Sequence, residues 1–279
     1  MYGTPLANLN LSGCSGLKTI DCHGNTSLTN LNTTGCNAVT SLDCSDCAIS
    51  AITIYPALKT LNCSNNRLTT LDVSECTALQ NLNCSHNQLT IDTNAFLENT
   101  ALVTLDCSYN TKWTSANIES LPELTSLNCN SCAIETICLW DLPKFTTLDC
   151  GNNAIKEFEI IECPLLTTIG SYTTGHLESI YIENTGMTQL TFNQEPLTSV
   201  VILNCNKFTS LNVTGNTSLM GITVFQSPLI QTINCTNSRL VQLELTDLPA
   251  LKNLDCSNNE LEGLIDLTGC PAQIGRAHV

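Results

Sequence analysis

Leu58-Lys59-Thr60-Leu61-Asn62-Cys63-Ser64-Asn65-Asn66-Arg67-Leu68-Thr69-Thr70-Leu71-Asp72-Val73-Ser74-Glu75-Cys76-Thr77-Ala78-Leu79 contains one phrase twice. Leu58-x-x-Leu61-x-Cys63-x-x-Asn66 is followed by Leu68-x-x-Leu71-x-Val73-x-x-Cys76, and at Leu79 the pattern starts again. A residue type that returns at a fixed interval occupies the same place in every turn of chain. A period of ~20 residues is too short for a domain with its own core, so the stretch predicts a solenoid in which each coil buries its apolar side on the next.

Outward from that stretch, Leu/Ile-x-Cys returns at Cys22, Cys44, Cys63, Cys84, Cys107, Cys129, Cys150, Cys235 and Cys256, spaced 19 to 23 residues apart wherever the run is unbroken. These cysteines should stack as one internal ladder, broken at Ser171, Phe192 and Val213, where small Ser171 leaves room for the Phe192 ring. The fold class expected is a repeat solenoid of short leucine-rich repeats, about 21 residues each, with parallel β-strands, an internal cysteine ladder and few helices. A coil this short leaves little space between its faces, and cysteine, a small hydrophobe stacked every ~4.8 Å, fills a thin core without overpacking. A single array of about twelve coils is expected over 6–270, with non-repeat ends at 1–5 and 271–279.

The frame assigns 17 of the 18 cysteines to inward sites and leaves Cys138 outward. Cys14, Cys36, Cys47, Cys76, Cys132, Cys163, Cys205 and Cys270 alternate with Asn25, Asn66, Asn87, Asn110, Asn153 and Asn216 at the ninth position of the half-repeat. There an amide, or less fully a thiol, can satisfy backbone groups as the chain leaves the strand. Free buried thiols are the expectation, with disulfides as the competing reading; stacked side chains run parallel rather than toward one another. Cys44-Ser-Asp-Cys47 and Cys129-Asn-Ser-Cys132 are CxxC pairs that the sixth and ninth positions create automatically, and they lie coils apart, so no metal site and no cofactor are expected.

His23, His86, His176 and His278 fall on distant coils, and no nucleophile, base and orienting group converge, so the chain is not expected to be an enzyme. Asp21, Asp43, Asp106, Asp149 and Asp255 share a column with Asn62, Asn83, Asn128, Asn212 and Asn234, which reads as a solvated face, with calcium between adjacent aspartates as the alternative. A formal net charge of -15 opposes nucleic-acid and anionic-membrane binding. No apolar run is long enough to span a bilayer, so no membrane insertion is expected.

Function then depends on the outward positions. On the cysteine-bearing strands these are short and polar: Thr60, Asn62 and Ser64; Asn81, Asn83 and Ser85; Thr104, Asp106 and Ser108; Asn253, Asp255 and Ser257. The other half-repeats differ between about 134 and 230, where Cys138, Trp140, Ile161, Tyr181, Val201, Leu203 and Phe225 take outward positions. Ser12, Thr34 and Ser74 hold in earlier coils the column that Trp140, Ile161, Leu203 and Phe225 later fill, with Tyr55 as the early exception. A contiguous apolar strip on a surface usually marks an interface, so Trp140, Ile161, Tyr181, Val201, Leu203 and Phe225 are the candidate partner-binding residues. Glu135, Glu157, Glu159, Glu162, Glu178 and Glu183 lie in or beside the same coils and suit a partner with basic residues around apolar pockets. The competing reading is that loops cover these side chains, or that the frame slips by one residue and turns them inward.

The phrase LxxLxCSxNxLTxLDVSxC, nearly complete at 58–76 and partial at 79–89, 102–110 and 251–261, resembles the cysteine-ladder branch of the internalin family (internalin J type) and related surface proteins of gut bacteria. That resemblance implies a non-catalytic recognition module of a secreted or cell-surface bacterial protein, with a protein or glycan as ligand. The alternatives are a structural spacer presenting other domains, or the accessory region of a missing enzyme. No signal peptide, capping domain, sorting motif or hydrophobic tail is legible, and Leu6 opens the repeat almost at once, so a fragment lacking both caps is expected. Ile274-Gly-Arg-Ala-His-Val279 does not continue the repeat and reads as the translation of a sequencing adapter.

Overall fold

The structure, a computed structural model, describes residues 6–91, 95–170, 172, 175–262, 267, 269–271 and 277–278. In chain order the strands are β1 (Asn8–Asn10), β2 (Thr19–Asp21), β3 (Asn30–Asn32), β4 (Ser41–Asp43), β5 (Thr60–Asn62), β6 (Asn81–Asn83) and β7 (Thr104–Asp106). Next come β8 (Ser115–Glu119), β9 (Ser126–Asn128), β10 (Thr136–Trp140), β11 (Thr147–Asp149), β12 (Glu157–Ile161), β13 (Ser179–Glu183) and β14 (Gln189–Thr191). The last are β15 (Ser199–Leu203), β16 (Ser210–Asn212), β17 (Gly221–Phe225), β18 (Thr232–Asn234), β19 (Gln242–Thr246), β20 (Asn253–Asp255) and β21 (Ala277–His278). The described residues contain no helix, and their strands pair in parallel, as a leucine-rich-repeat β-solenoid requires. The chain divides into two compact units, Met1–Ile134 with Thr147–Asn153, and Glu135–Thr146 with Ala154–Val279.

In the first unit, β2, β4, β5, β6, β7, β9 and β11 lie side by side in one seven-stranded sheet. Their central residues, Ile20, Leu42, Leu61, Leu82, Leu105, Leu127 and Leu148, stand in register. Each strand is three residues long because the chain turns immediately afterwards. The centre points inward, and the ladder cysteine that follows is buried too: Cys22, Cys44, Cys63, Cys84, Cys107, Cys129 and Cys150 are each at most 1% exposed. Two devices make that turn in every coil. First, the aspartate or asparagine ending the strand accepts from the residue two further on: Asp43 Oδ1 takes the Ser45 N–H at 3.0 Å and its hydroxyl at 2.7 Å, and Asn62, Asn83 and Asp106 repeat the contact with Ser64, Ser85 and Ser108. Only a side-chain oxygen is needed, so Asp and Asn interchange.

The second device is a left-handed residue two places after each cysteine: Gly24, Asp46, Asn65, His86, Tyr109, Ser131 and Asn152 all have φ between 51° and 70°. Gly, Asn and Asp adopt that conformation cheaply, whereas Tyr109 does so at a cost. Its ring stacks on that of His86 at 3.9 Å between centroids. One residue further, the asparagine column ties coil to coil. The Asn87 amide donates to Cys63 O at 3.0 Å in the preceding coil and to Cys84 O at 3.1 Å in its own, while its oxygen accepts the Leu68 N–H at 2.9 Å. Asn66, Asn110 and Asn153 do the same. Where cysteine replaces asparagine, the thiol lies between a carbonyl of the preceding coil and one of its own, Cys47 between Cys22 O at 3.5 Å and Ser45 O at 3.4 Å, and Cys132 between Cys107 O at 3.5 Å and Asn130 O at 3.7 Å.

Three expectations are corrected in this unit. Tyr55 is not outward: it is 3% exposed, and its hydroxyl donates to Thr33 O. The coil from Leu42 to Leu61 is short, which moves Tyr55 into the position of Cys36 and Cys76; the Val39, Leu58 and Leu79 N–H groups donate to these three carbonyls alike. Cys14 is exposed rather than inward, because among the described residues only one coil packs on it, that of Cys36. The serines of the outward triplets are also turned in, with Ser64, Ser85 and Ser108 at 6%, 5% and 4% exposure, their hydroxyls held by the Asx oxygens. The Ser171 expectation lies outside the described residues.

In the second unit, β14, β16, β18, β20 and β21 form one parallel sheet. Its two residues from the chain's last segment, Ala277 and His278, pair with Leu254 and Asp255. Phe192, Val213, Cys235 and Cys256 fill the ladder column, all buried. Tyr172 packs against Phe192, 5.4 Å between centroids, and edge-on to Phe158 at 6.2 Å. The opposite half-repeats carry β10, β12, β13, β15, β17 and β19, joined in that order. These strands are five residues long, where the matching half-repeats around Leu71 and Val73 form none. Thr69-Thr-Leu-Asp-Val73 is also rich in β-branched residues but carries Asp72, a residue type depleted in strands, whose oxygen accepts the Ser74 N–H and hydroxyl in a turn. In the places of Asp72 and Ser74 stand Cys138 and Trp140 in β10, and Val201 and Leu203 in β15.

Candidate functional site: the outward face of the second unit

Strict alternation fixes which side chains of this sheet meet water. Ile137 and Leu139, Phe158 and Ile160, Ile180 and Ile182, Val200 and Ile202, Ile222 and Val224 are all at most 2% exposed, so the residues between them point outward. The frame therefore does not slip here. Trp140 is 40% exposed, and Cys138, Ile161, Tyr181, Val201, Leu203 and Phe225 are partly exposed.

Register resolves the strip into two columns. One reads Trp140, Ile161, Glu183, Leu203, Phe225 and Thr246 from β10 to β19; the other reads Cys138, Glu159, Tyr181, Val201, Thr223 and Glu244. Trp140 with Ile161 forms one apolar lobe, and Val201, Leu203 and Phe225 form a second. Glu183 stands in line between them, with Tyr181 beside it. The sequence reading placed Glu183 only in or beside these coils. Alternation about the buried pair Ile180 and Ile182 marks Glu183 as outward, and the lateral register places it in the Trp140 column.

The carboxylates are held by neighbours. The Tyr181 hydroxyl donates to Glu183 Oε2 at 2.9 Å and the Asn204 amide to Glu183 Oε1 at 3.2 Å. Burial, then that carboxylate, raises the Tyr181 hydroxyl above its ordinary range, so it stays a donor. Cys138 lies 3.7 Å from Glu159 Oε2, and burial followed by this charge pushes its thiol up to about 11. A thiol this hard to ionise is a poor nucleophile. At the start of the strands, Lys156 pairs with Glu135 at 2.7 Å, their side chains 42% and 53% exposed.

Elsewhere the candidate chemistry does not assemble. His23 Nδ1 sits 2.6 Å from Asp21, a local contact at a turn, and His86 is occupied in the Tyr109 stack. Asp21 and Asp43 are the aspartates of the column that stand directly beside each other, and both give a side-chain oxygen to their own turns. Among the described residues, no three His, Cys, Asp or Glu side chains are grouped to hold a metal ion. Among the same residues, no helix is long and apolar enough to cross a membrane. The ladder cysteines are reduced thiols without disulfides, and burial pushes Cys22, Cys150 and Cys235 up to about 12.

Residues 56–92 match the family model "Leucine Rich repeats (2 copies)". No curated protein matches the chain by sequence. Among solved structures, the chain is similar to the functional domain of InlJ from Listeria monocytogenes, which includes a cysteine ladder, at 24% identity and a TM-score of 0.51 over 93% of this chain. The match spans 65% of that structure's chain. More distant are the leucine-rich repeat domain of APL1B (17% identity, 94% of this chain and 80% of that one, TM-score 0.39) and a Leptospira interrogans LRR protein (15%, 92% and 91%, TM-score 0.36). The chain thus carries leucine-rich repeats, and its fold is that of the cysteine-ladder internalin solenoid.

Proposed function

We propose that this chain is a non-catalytic recognition module of a secreted or cell-surface bacterial protein, and that it binds a protein through the outward face of β10, β12, β13, β15 and β17. The observation that carries this reading is Trp140, 40% exposed at the head of the column that holds Ile161, Leu203 and Phe225, with Tyr181 and Val201 in the column beside it. Tryptophan and tyrosine on a rigid sheet surface are typical anchors of protein interfaces. The bacterial surface setting rests on likeness to InlJ and on the repeat phrase itself. A protein ligand is favoured over a glycan because the serine hydroxyls of the polar face, at Ser45, Ser64, Ser85 and Ser108, are already spent on their own turns.

The test is an array of purified extracellular proteins probed with the biotinylated chain, followed by titration of each hit. Trp140→Ala combined with Phe225→Ala should weaken binding at least a hundredfold, about 2.8 kcal/mol for the pair, with unchanged circular dichroism. Equal affinity of the double variant removes the strip as the site.

A further inference from the structure

The Trp140 column carries a carboxylate, Glu183, with apolar side chains on both sides of it, Trp140 and Ile161 before and Leu203 and Phe225 after. Glu183 is partly exposed, in register with Ile161 on one side and Leu203 on the other. Tyr181 and Asn204 each donate to one of its oxygens, which fixes its direction while leaving acceptor capacity. Among the described residues neither Glu183 nor Glu159 has an ion pair, and Lys156 is taken by Glu135 at the far end of the strands. An apolar partner laid over both lobes would strand Glu183 in a dry interface, which is unfavourable unless the partner brings a positive charge to it.

We propose that this face receives an α-helix of the partner protein, lying across the strands, with a lysine or arginine seated on Glu183 between apolar anchors on Ile161 and on Leu203 with Phe225. The proposal rests on the recognition reading above and specifies the partner's chemistry. Spacing selects the helix. Neighbouring strands are ~4.8 Å apart, and a helix presents one residue per ~5.4 Å turn on a given face, so successive turns follow successive strands with a drift of only about 0.6 Å per step. An extended strand shows same-face side chains every ~6.8 Å and loses step with the columns by the second strand. The backbone N–H and C=O groups of β12, β13, β15 and β17 are engaged with their neighbours, so contact must come from side chains, as a self-satisfied helix provides.

The experiment uses two stapled helical peptides, identical except at one position. Both carry Leu, X, Leu and Phe at i, i+4, i+7 and i+11, with X as arginine in one and glutamate in the other. Isothermal titration of the full chain should show the arginine peptide binding at least tenfold more tightly, and Glu183→Gln, which keeps the side-chain shape, should remove that advantage while circular dichroism stays the same. Equal affinities for the two peptides, or an advantage that persists in Glu183→Gln, overturn the cation seat while leaving the apolar strip standing. Binding of neither peptide overturns helix docking, and the recognition reading is then judged separately by the Trp140 and Phe225 variants.

Discussion

At Gly186 one side chain decides whether two coils can close. A Cβ built there would lie 2.5 Å from Pro164 O and 3.0 Å from Leu166 O, both backbone atoms that cannot move aside cheaply. The approach exists because the Gly186 N–H donates to Cys163 O. Gly186→Ala should therefore destabilise the protein by about 1–3 kcal/mol, the usual cost of overpacking. The measurement is the urea midpoint of the variant; an unchanged midpoint would show that the coils separate freely. Single residues also explain where the sequence misled. Tyr55 fits the outward pattern by count, yet the short coil before it moves the ring inward onto Thr33.

At the scale of elements, the columns on either side of each ladder cysteine obey different rules although both hold asparagine. In the strand-end column the turn needs only an accepting oxygen, so Asp106→Asn keeps the contacts to Ser108 and should change stability by less than about 1 kcal/mol. In the turn column the amide must donate across coils, and Asn87→Asp would set a carboxylate against the carbonyls of Cys63, Cys84 and Ser85. That substitution should cost about 3–5 kcal/mol. Chemical denaturation of the two variants side by side checks the contrast; similar losses would mean the two columns are equivalent. Both columns were legible in the sequence as recurring Asn, Asp and Cys. Their separate duties were not, because donor and acceptor roles depend on which coil lies next.

Across the molecule, the many buried thiols couple stability to alkali. Free cysteines in an unfolded chain titrate near 9.0, while burial holds Cys22, Cys150 and Cys235 at about 12. Below pH 9 both states are protonated and this contribution is fully present. Between pH 9 and about 12 the unfolded chain loses protons that the folded chain keeps, so unfolding becomes progressively more favourable. Thermal melts under strong reductant at intervals from pH 8 to 11 should show the midpoint falling above pH 9, and a flat profile would remove the ladder from the account.

The sequence by itself determined the solenoid, the parallel strands and the cysteine column, because a residue repeated every ~21 positions can only return to the same place in each coil. It also placed Trp140, Ile161, Tyr181, Val201, Leu203 and Phe225 on outward positions, since strand alternation needs nothing beyond the local pattern. Tertiary structure decided what those residues stand beside. Lateral register between strands set Glu183 in line with Ile161 and Leu203, and coil length moved Tyr55 inward. Register depends on how many residues each coil spends in its turns, and no single coil contains that information.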